Sequence, residues 1–334
     1  MIFTNMFSTN KHTLVVIDGE LWGCGENISG QLGVTDNDGP TVSNFTKIDC
    51  DFDNSEIKII KCGRDFSLII TCDGNLFGSG SNISGKLGIN LTFQTRKFST
   101  FIQIPIYDVE QIDCCDGYSV VLTKSNELYF FGQFDNILGT NGFVKIDICT
   151  NDIIKKIACN TKYIYFATDT ELFRYKSPNE FKKFEMFENI VDLKCNEYFV
   201  LIKTTNILNC SVDDNNMDFV KIYNNISHPK IYTSIGRYCI LGEDKDGKYI
   251  YICTKNATCS RCIKCDDSVT DLVVSDSIIF LISPNNIYYM GVNFYGDLGL
   301  GGTFSGSSNT IKIHPFLSGK NIAISHFPSI NKVK

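Results

Sequence analysis

Closely spaced cysteines in the last third of the chain are the first residues that could do chemistry. Cys259, Cys262 and Cys265 are each separated by two residues. Three thiolates at this spacing could hold zinc if a fourth ligand closed the tetrahedron, and the nearby candidates are Cys253, His228 and Asp266. A structural zinc site normally uses two paired knuckles, whereas one is visible here. The sequence therefore favours a cysteine-rich loop without metal, with zinc as the alternative.

A near match to a phosphate-binding loop runs from Gly80 to Lys86. The segment satisfies the first seven positions of a P-loop, but Leu87 stands where a Ser or Thr would ligate magnesium, and no helical pattern follows. Two related segments carry Gln31 and Asp297 at the position of Lys86, which indicates one variable position of a repeat. We predict no nucleotide here and no cofactor elsewhere.

Residues for covalent catalysis are sparse. The four histidines are scattered along the chain, at His12, His228, His314 and His326. The sequence contains no nucleophile elbow, metalloprotease motif or paired-carboxylate signature. We therefore predict that the protein has no covalent catalytic site.

The glycine-rich segments belong to a phrase that occurs four times. Its copies are residues 23–33, 78–88, a shortened 131–139, and 291–299. Each copy follows short segments in which apolar residues recur with period two, and in the second copy residues 66–71 and 76–80 flank an Asp-Gly pair. This pattern predicts antiparallel hairpins.

Seven such units fill the chain, since weaker copies that keep only the strands lie at 155–175, 192–210 and 230–253. Seven units in 334 residues give about 48 residues each, which fits a four-stranded propeller blade better than a solenoid turn of about 20–29 residues. We predict an all-β, seven-bladed propeller that forms a single domain over residues 1–334. Its clear repeats are 11–33, 57–88, 109–139 and 269–299, and its degenerate blades cover 153–260.

A propeller ring must also be closed. Because the first unit starts almost at the N-terminus, we expect residues 321–325 to join the N-terminal strands in one blade. N- and C-terminal strands would then close the ring and leave no exposed apolar edge.

Glycine, asparagine and leucine recur in the phrase for physical reasons. Strands end where the chain must turn without a Cβ, at Gly25, Gly80, Gly132 and Gly291. Asparagine suits hydrogen bonding to the backbone of a compact loop, at Asn27, Asn82 and Asn293. Leucines are expected to fill the gap between neighbouring blades, at Leu32, Leu87, Leu138 and Leu298.

The phrase resembles the repeat of the RCC1 (regulator of chromosome condensation) family. The resemblance is carried by residues 11–14, 21–25 and 27–33 of the first unit. It is clear in blades two and seven, weaker in blade three, and limited to the strands in blades four to six. The resemblance implies a propeller fold, and it makes His12, which matches the repeat histidine, a packing and hydrogen-bonding residue.

The resemblance leaves two functional classes open. Many RCC1-like proteins are non-catalytic interaction propellers, so a scaffold or regulatory adaptor, including one of small-GTPase signalling, is the first interpretation. A guanine-nucleotide exchange factor for a Ran-like small GTPase is the alternative. Exchange requires preferential binding of the nucleotide-free GTPase and needs no acid, base or nucleophile. Enzyme activity is therefore nucleotide exchange at most.

Composition favours a protein that binds other proteins inside the cell. A net charge of −6 and a pI near 5.3 disfavour direct nucleic-acid binding. No apolar run approaches the roughly 20 residues that span a bilayer, and the N-terminus lacks a signal-peptide core. We expect no membrane association and a cytoplasmic location, with the nucleus as the alternative.

An odd total of 15 cysteines indicates reduced thiols. Four of them share one repeat position, namely Cys62, Cys114, Cys159 and Cys195.

Loop length marks one part of the ring as a docking surface. Long connections follow the Leu-Gly of blades seven, one and two, at 301–309, 34–46 and 89–99, and in a closed ring these blades are neighbours. We expect a protein partner to contact the segments around six residues, Asp36, Asp38, Arg96, Lys97, Phe98 and Phe304. Tolerated surface loops are the alternative, since insertions at such places cost little.

Overall fold

The computed structural model describes most of the chain. The described residues are 6–9, 11–35, 39–90, 92, 94–134, 142–148, 150, 152–177, 179–184, 187, 189–205, 208–211, 220–222, 227–234, 237–253, 259–302 and 304–320. At 55, 220–222, 227–228, 244, 259–261 and 304–309 the description extends to the backbone alone.

Short strands, numbered β1 to β28 along the chain, make up the described structure in consecutive groups of four. The first four blades are β1–β4 (Met6–Ser8, His12–Ile17, Glu20–Glu26, Thr41–Lys47), β5–β8 (Ile57–Cys62, Phe66–Thr71, Leu76–Ser81, Lys97–Ile104), β9–β12 (Val109–Cys114, Tyr118–Thr123, Leu128–Gly132, Val144–Ile146) and β13–β16 (Lys156–Cys159, Ile164–Ala167, Leu172–Ser177, Glu180–Phe184). The last three are β17–β20 (Ile190–Cys195, Val200–Thr204, Leu208–Ser211, Val220–Ile222), β21–β24 (Ser227–Thr233, Tyr238–Asp244, Gly247–Cys253, Cys259–Lys264) and β25–β28 (Asp271–Val274, Ile278–Ile282, Ile287–Asn293, Phe304–Ile313). Among the described residues, short 3-10 helices lie at Asn54–Glu56 and Ile83–Gly85.

Each group of four strands forms one antiparallel sheet in chain order. The innermost strands contact one another in sequence, and β25 of the last blade contacts β1 of the first, so the ring is closed. The predicted all-β, seven-bladed propeller of four-stranded blades is thereby confirmed.

Ring closure in the described residues involves two complete sheets. Blade one draws its four strands from residues 6–47 and blade seven from 271–313, and the two blades share a hydrophobic cluster. Residues 321–325, which the sequence placed in a closing blade, lie outside the described residues. Their role therefore stays a prediction.

The core consists of apolar clusters between blades. In the described part of the chain there are seven, one for each pair of neighbouring blades including seven and one. The second strand of a blade has neighbouring sheets on both faces, and all six residues of β2, of β6 and of β10 are buried. The second strand is therefore buried on both faces, so that its polar residues, such as Ser67 and Ser119, are buried together with its apolar ones.

Within the described residues, no helix has the length and apolar character required to cross a membrane.

Candidate interaction surface

Two sets of connections meet on one face of the propeller, which we call the loop face. The turn between the first and second strands of a blade touches the loop that follows its third strand, since the Glu26 N–H donates to the Lys11 carbonyl at 2.8 Å and the Ser81 N–H to the Asp65 carbonyl at 2.9 Å. The repeated phrase therefore supplies a layer of loops on this face, in blades one, two and seven.

Glycine is required where the third strand meets its loop. Gly25 has φ +110°, and a Cβ built on it would lie 2.3 Å from the Lys11 carbonyl oxygen. Gly80 has φ +99°, and its Cβ would lie 2.5 Å from the Asp65 carbonyl oxygen. Both the left-handed backbone and the close approach exclude a side chain, as the sequence predicted.

Asparagine holds each described loop together. The Leu32 N–H donates to Asn27 Oδ1 at 3.1 Å, and the matching bonds in blades two and seven are Leu87 N to Asn82 Oδ1 at 3.0 Å and Leu298 N to Asn293 Oδ1 at 2.7 Å. Asn82 also donates through Nδ2 to two loop carbonyls, each at 2.9 Å. The predicted role of asparagine is confirmed.

Each loop also joins its blade to the next one. Leu32, Leu87 and Leu298 are fully buried in the clusters between blades, as predicted, while Leu138 lies outside the described residues. The residue before each leucine accepts a hydrogen bond from a hydroxyl of the following blade. These inter-blade bonds are Ser67 Oγ to Gln31 O at 2.7 Å, Ser119 Oγ to Lys86 O at 3.1 Å and Thr13 Oγ1 to Asp297 O at 2.7 Å.

Blades four to six, whose sequences lack the phrase, are joined differently. Asn160 Nδ2 donates to the Asn196 carbonyl at 3.0 Å, and Asn196 Nδ2 donates to the Arg237 carbonyl at 3.1 Å. Arg237 in turn donates through Nε to the Ser275 carbonyl of blade seven at 3.0 Å. Tyr118 Oη begins the series by donating to the Asn160 carbonyl at 2.6 Å. We call these four bonds the side-chain series; sequence reasoning missed it.

Large apolar side chains project from the tips of the three loops. Ile28, Ile83 and Phe294 are 62%, 60% and 54% exposed, and each directly follows the loop asparagine of its blade. Tyr295 beside Phe294 is also exposed. Because the three loops have the same anchoring bonds, these side chains occupy equivalent places on neighbouring blades. The sequence analysis did not single them out, although an apolar residue after each loop asparagine was a readable signal.

The residues predicted to contact a partner are only partly brought together. Arg96 and Lys97 are exposed at the start of β8, next to the blade-one loop, where a Cβ on Gly30 would lie 3.2 Å from Lys97 Cε. Phe98 is half-buried and packs against the cluster between blades two and three, so its side chain is structural. Asp36 and Asp38 lie outside the described residues, as does the side chain of Phe304.

Three exposed cationic residues lie on the described loop face of blades one and two, Arg96, Lys97 and the turn residue Arg64. The carboxylates there are paired, Glu26 with Lys11 at 2.7 Å and Asp65 with Lys86 at 2.5 Å. The lysine of the near P-loop is thus engaged in an ion pair within its own blade.

His12 is a structural residue. It is fully buried, with Nε2 2.9 Å from Ser67 Oγ of the next blade and Nδ1 3.2 Å from Thr9 Oγ1. Burial, and secondarily the positive charge of Lys11, lowers the pKa of His12 to about 3. The packing and hydrogen-bonding role expected from the resemblance is confirmed.

The spaced cysteines lie largely on a strand. Cys259 and Cys262 belong to β24, the outermost strand of blade six, so the expectation of a cysteine-rich loop is wrong for these two residues. Cys262 is exposed, whereas Cys265 is buried with its pKa raised to about 11, chiefly by burial. The side chains of Cys259 and His228 lie outside the described part. Among the described residues, no group of three His, Cys, Asp or Glu could hold a metal ion.

The four cysteines that the sequence assigned to one repeat position also share one position in the structure. Cys62, Cys114, Cys159 and Cys195 each end the first strand of a blade, and each pairs with the first or second residue of the second strand. Three of them are buried and Cys114 is half-buried. The prediction of one shared repeat position is confirmed.

The fold and its repeated loop define a class of protein, the seven-bladed propeller built from glycine-anchored, four-stranded units. Residues 57–86 match the family model described as "Regulator of chromosome condensation (RCC1) repeat". This match confirms the resemblance to the RCC1 repeat that the sequence predicted.

Curated relatives match part of the chain. The X-linked retinitis pigmentosa GTPase regulator of Canis lupus familiaris is 30% identical over 146 residues, which are 42% of this chain and 14% of that protein. The probable E3 ubiquitin-protein ligase HERC4 of Rattus norvegicus is 28% identical over 193 residues, 53% of this chain and 18% of that protein. The matched segment thus spans less than a fifth of the length of each of these two relatives.

Solved structures match almost all of the chain. Yeast RCC1 (Prp20), solved with Kap60, has a TM-score of 0.73 at 15% identity, over 94% of this chain and 87% of that one. Prp20p from Saccharomyces cerevisiae, described with its binding properties to Gsp1p and histones, has a TM-score of 0.71 at 15% identity, over 92% and 87%. At this identity the likeness shows the fold alone.

Proposed function

We propose that the protein is a non-catalytic interaction propeller, a scaffold or regulatory adaptor, whose partner docks on the loop face of blades seven, one and two. The observation that carries the proposal is the placement of Ile28, Ile83 and Phe294. Scattered exposed apolar residues are ordinary, but three at one repeat position of three consecutive blades form an arc that water does not favour.

The chemistry of this arc indicates the chemistry of its partner. Apolar tips with Arg64, Arg96 and Lys97 beside them suit a protein segment that carries apolar side chains flanked by acidic ones. An interface of standard size, about 800 Å² per partner, would need most of the arc. The loops that hold Asp36, Asp38 and Phe304 adjoin the arc in sequence and remain part of the proposed contact, whereas Phe98 contributes through its backbone.

A matched pair of triple variants tests the docking arc. Ile28→Ser, Ile83→Ser and Phe294→Ser together remove the apolar tips. The control replaces three similarly exposed residues on the opposite face, Tyr107→Ser, Ile153→Ser and Ile313→Ser. We expect a partner captured quantitatively by the wild type and by the control to be lost by the loop-face variant, with unchanged melting temperatures. Equal capture by both variants would refute the arc.

Nucleotide exchange on a Ran-like small GTPase is the second candidate function. It is supported by the name of the GTPase regulator among the relatives and by the described binding of Prp20p to Gsp1p. Such a function would use the same kind of surface, because exchange requires only tighter binding of the nucleotide-free GTPase.

One assay separates the two functions. Ran loaded with fluorescent GDP is mixed with the protein and excess GTP, and release of the fluorescent nucleotide is followed. Accelerated release that the loop-face triple variant abolishes would support exchange. The adaptor proposal expects no acceleration of nucleotide release at micromolar protein.

We propose a cytoplasmic setting, with the nucleus as the alternative, in keeping with the net charge of −6.

A further inference from the structure

The innermost strands enclose a channel of about 750 Å³ along the propeller axis, and the innermost strand of every blade contributes to its wall. Among the described residues that line it, five are cysteines from the consecutive blades two to five, namely Cys62, Cys114, Cys115, Cys159 and Cys195. Four of the five occupy the repeat position that ends the first strand of a blade. Cys115 is an addition, because it directly follows Cys114, so blade three presents two thiols where its neighbours present one.

The additional thiol lies against a cysteine of the next blade. Cys159, at the end of β13, is buried in the apolar cluster between blades three and four, and Cys115 packs against that cluster. A hydrogen bond joins the two thiols. The two sulfur atoms are therefore neighbours across a junction between blades, although 44 residues separate them in sequence.

Bonds on both sides hold the two cysteines together. The Cys159 N–H donates to Asp113 Oδ2 at 2.9 Å, two residues before Cys115. The Cys115 N–H donates to the Tyr118 carbonyl at 3.1 Å. Tyr118 Oη in turn donates to the carbonyl of Asn160, directly after Cys159, at 2.6 Å. The contact between the thiols is thus fixed by the backbone of both blades.

The two thiols differ in their access to solvent. Cys115 is half-buried and lines the channel, whereas Cys159 is only 4% exposed. Burial, and after it the hydrogen bond with Cys115, raises the pKa of Cys159, so this thiol keeps its proton at neutral pH. An oxidant that enters the channel therefore meets Cys115 first, with Cys159 behind it.

We propose that Cys115 and Cys159 are a redox modification site, at which a peroxide converts the two thiols into a disulfide between blades three and four. Cys115 releases its proton to water and its thiolate attacks one peroxide oxygen, so that a sulfur–oxygen bond forms, the oxygen–oxygen bond breaks and hydroxide leaves. The sulfur of Cys159 then attacks the sulfenic acid, and the departing hydroxide takes the Cys159 proton and leaves as water. In total, two thiols give up two electrons and two protons, and one hydrogen peroxide becomes two molecules of water. Thiol–disulfide exchange with a small dithiol reverses the modification.

Peptide mapping of the full chain tests the site. The reduced protein is treated with hydrogen peroxide, its remaining thiols are alkylated, and it is digested with trypsin without reduction. We expect residues 157–162, which contain Cys159, to be linked to residues 98–124 and to be released by dithiothreitol. Fragment spectra distinguish Cys115 from Cys114 as the linked residue.

Two serine variants give the comparison. Cys115→Ser should abolish the link, whereas Cys195→Ser, at the same repeat position in blade five, is the matched control and should form it like the wild type. Because a cross-link restricts the unfolded chain, the oxidised wild type should melt about 3–8 °C above the reduced one, and Cys115→Ser should show no such rise. Each protein is compared with its own reduced form, so the test holds even if Cys115→Ser is less stable.

Two results would overturn the proposal. One is the absence of the link at a peroxide concentration that oxidises the exposed Cys72, and the other is a link from Cys159 to a cysteine other than Cys115. The loop-face triple variant should form the disulfide like the wild type, because this site does not depend on the proposed docking arc.

Discussion

Blades seven, one and two are joined to the blades that follow them by bonds of a different kind from those of blades four, five and six. In the first group a loop carbonyl accepts from a Ser or Thr hydroxyl of the next blade, as in Gln31 with Ser67. In the second group a side chain of the first turn donates to the next blade, as in Asn196 with Arg237. With Tyr118 at the junction of blades three and four, each of the seven interfaces has at least one such bond among the described residues.

The difference shows which part of the repeat the ring requires. An apolar cluster fills every interface in both groups, and a polar bond closes it on the loop face. The loop itself is not required, because the side-chain series joins the blades where the phrase is missing. Retained loops are thus a surface property, which fits the exposed side chains at their tips, Ile28, Ile83 and Phe294.

The largest expected effect separates the buried and exposed residues of one loop. Leu87→Ala should destabilise the ring by about 2–5 kcal/mol, because Leu87 is fully buried between blades two and three and its loss leaves a cavity. Ile83→Ala, four residues earlier, should change stability by less than about 0.5 kcal/mol. Denaturant unfolding of both variants measures the contrast. Similar losses in both would mean that the tip is part of the core.

A second prediction concerns Asp297, a buried carboxylate at the variable loop position that Gln31 and Lys86 occupy in blades one and two. Asp297 stands where Gln31 bonds to Glu26 and Lys86 pairs with Asp65, but neither of its oxygens has a well-formed hydrogen bond among the described residues. Burial raises its pKa to about 7, although the N–H groups of Asp297 and Tyr295 oppose the shift. The folded protein keeps a proton that the unfolded chain has lost, so stability from this group falls as pH rises from about 4 to 7.

Asp297→Asn should remove that loss. The stability of the variant relative to the wild type should grow between pH 4 and 7 and reach about 3–4 kcal/mol above pH 7, because a tenfold difference in proton affinity corresponds to about 1.4 kcal/mol. Taking the difference cancels the opposite contribution of His12, whose lowered pKa makes stability fall as pH drops from about 6.5 towards 3. Melting curves from pH 4 to 8, with the exposed Asp51→Asn as control, check this. A difference that is flat with pH would contradict it.

The smallest effect tests whether the side-chain series replaces the loop. Asn196→Ala removes the bond to the Arg237 carbonyl and the two bonds that Oδ1 accepts from Tyr198 and Phe199, each at 2.9 Å. We expect a loss of about 1–2 kcal/mol. Asn82→Ala in the intact loop of blade two should cost a similar amount. A neutral Asn196→Ala beside a costly Asn82→Ala would break the equivalence of the two groups.

Much of the fold and of the loops could be predicted because their causes are local. A period of two marks strands, Gly25 and Gly80 occupy backbone that excludes a Cβ, and Asn82 bonds within its own loop. The residues of the docking surface were harder to predict from the sequence. Loop length pointed to the blades whose loops carry the exposed tips, but it selected Phe98, whose side chain packs in the core, and passed over Ile28 and Ile83, whose exposure depends on how the loop is laid across the next blade.

The sequence by itself determined a ring of seven four-stranded units, because hairpin patterning, glycine turns and the spacing of repeats are written within each unit. Only the tertiary structure decided how the degenerate blades hold together and which apolar side chains are exposed to water. Those properties arise between residues that are far apart in sequence, such as Asn160 and Asn196, and blade-to-blade contact alone brings them within hydrogen-bonding distance.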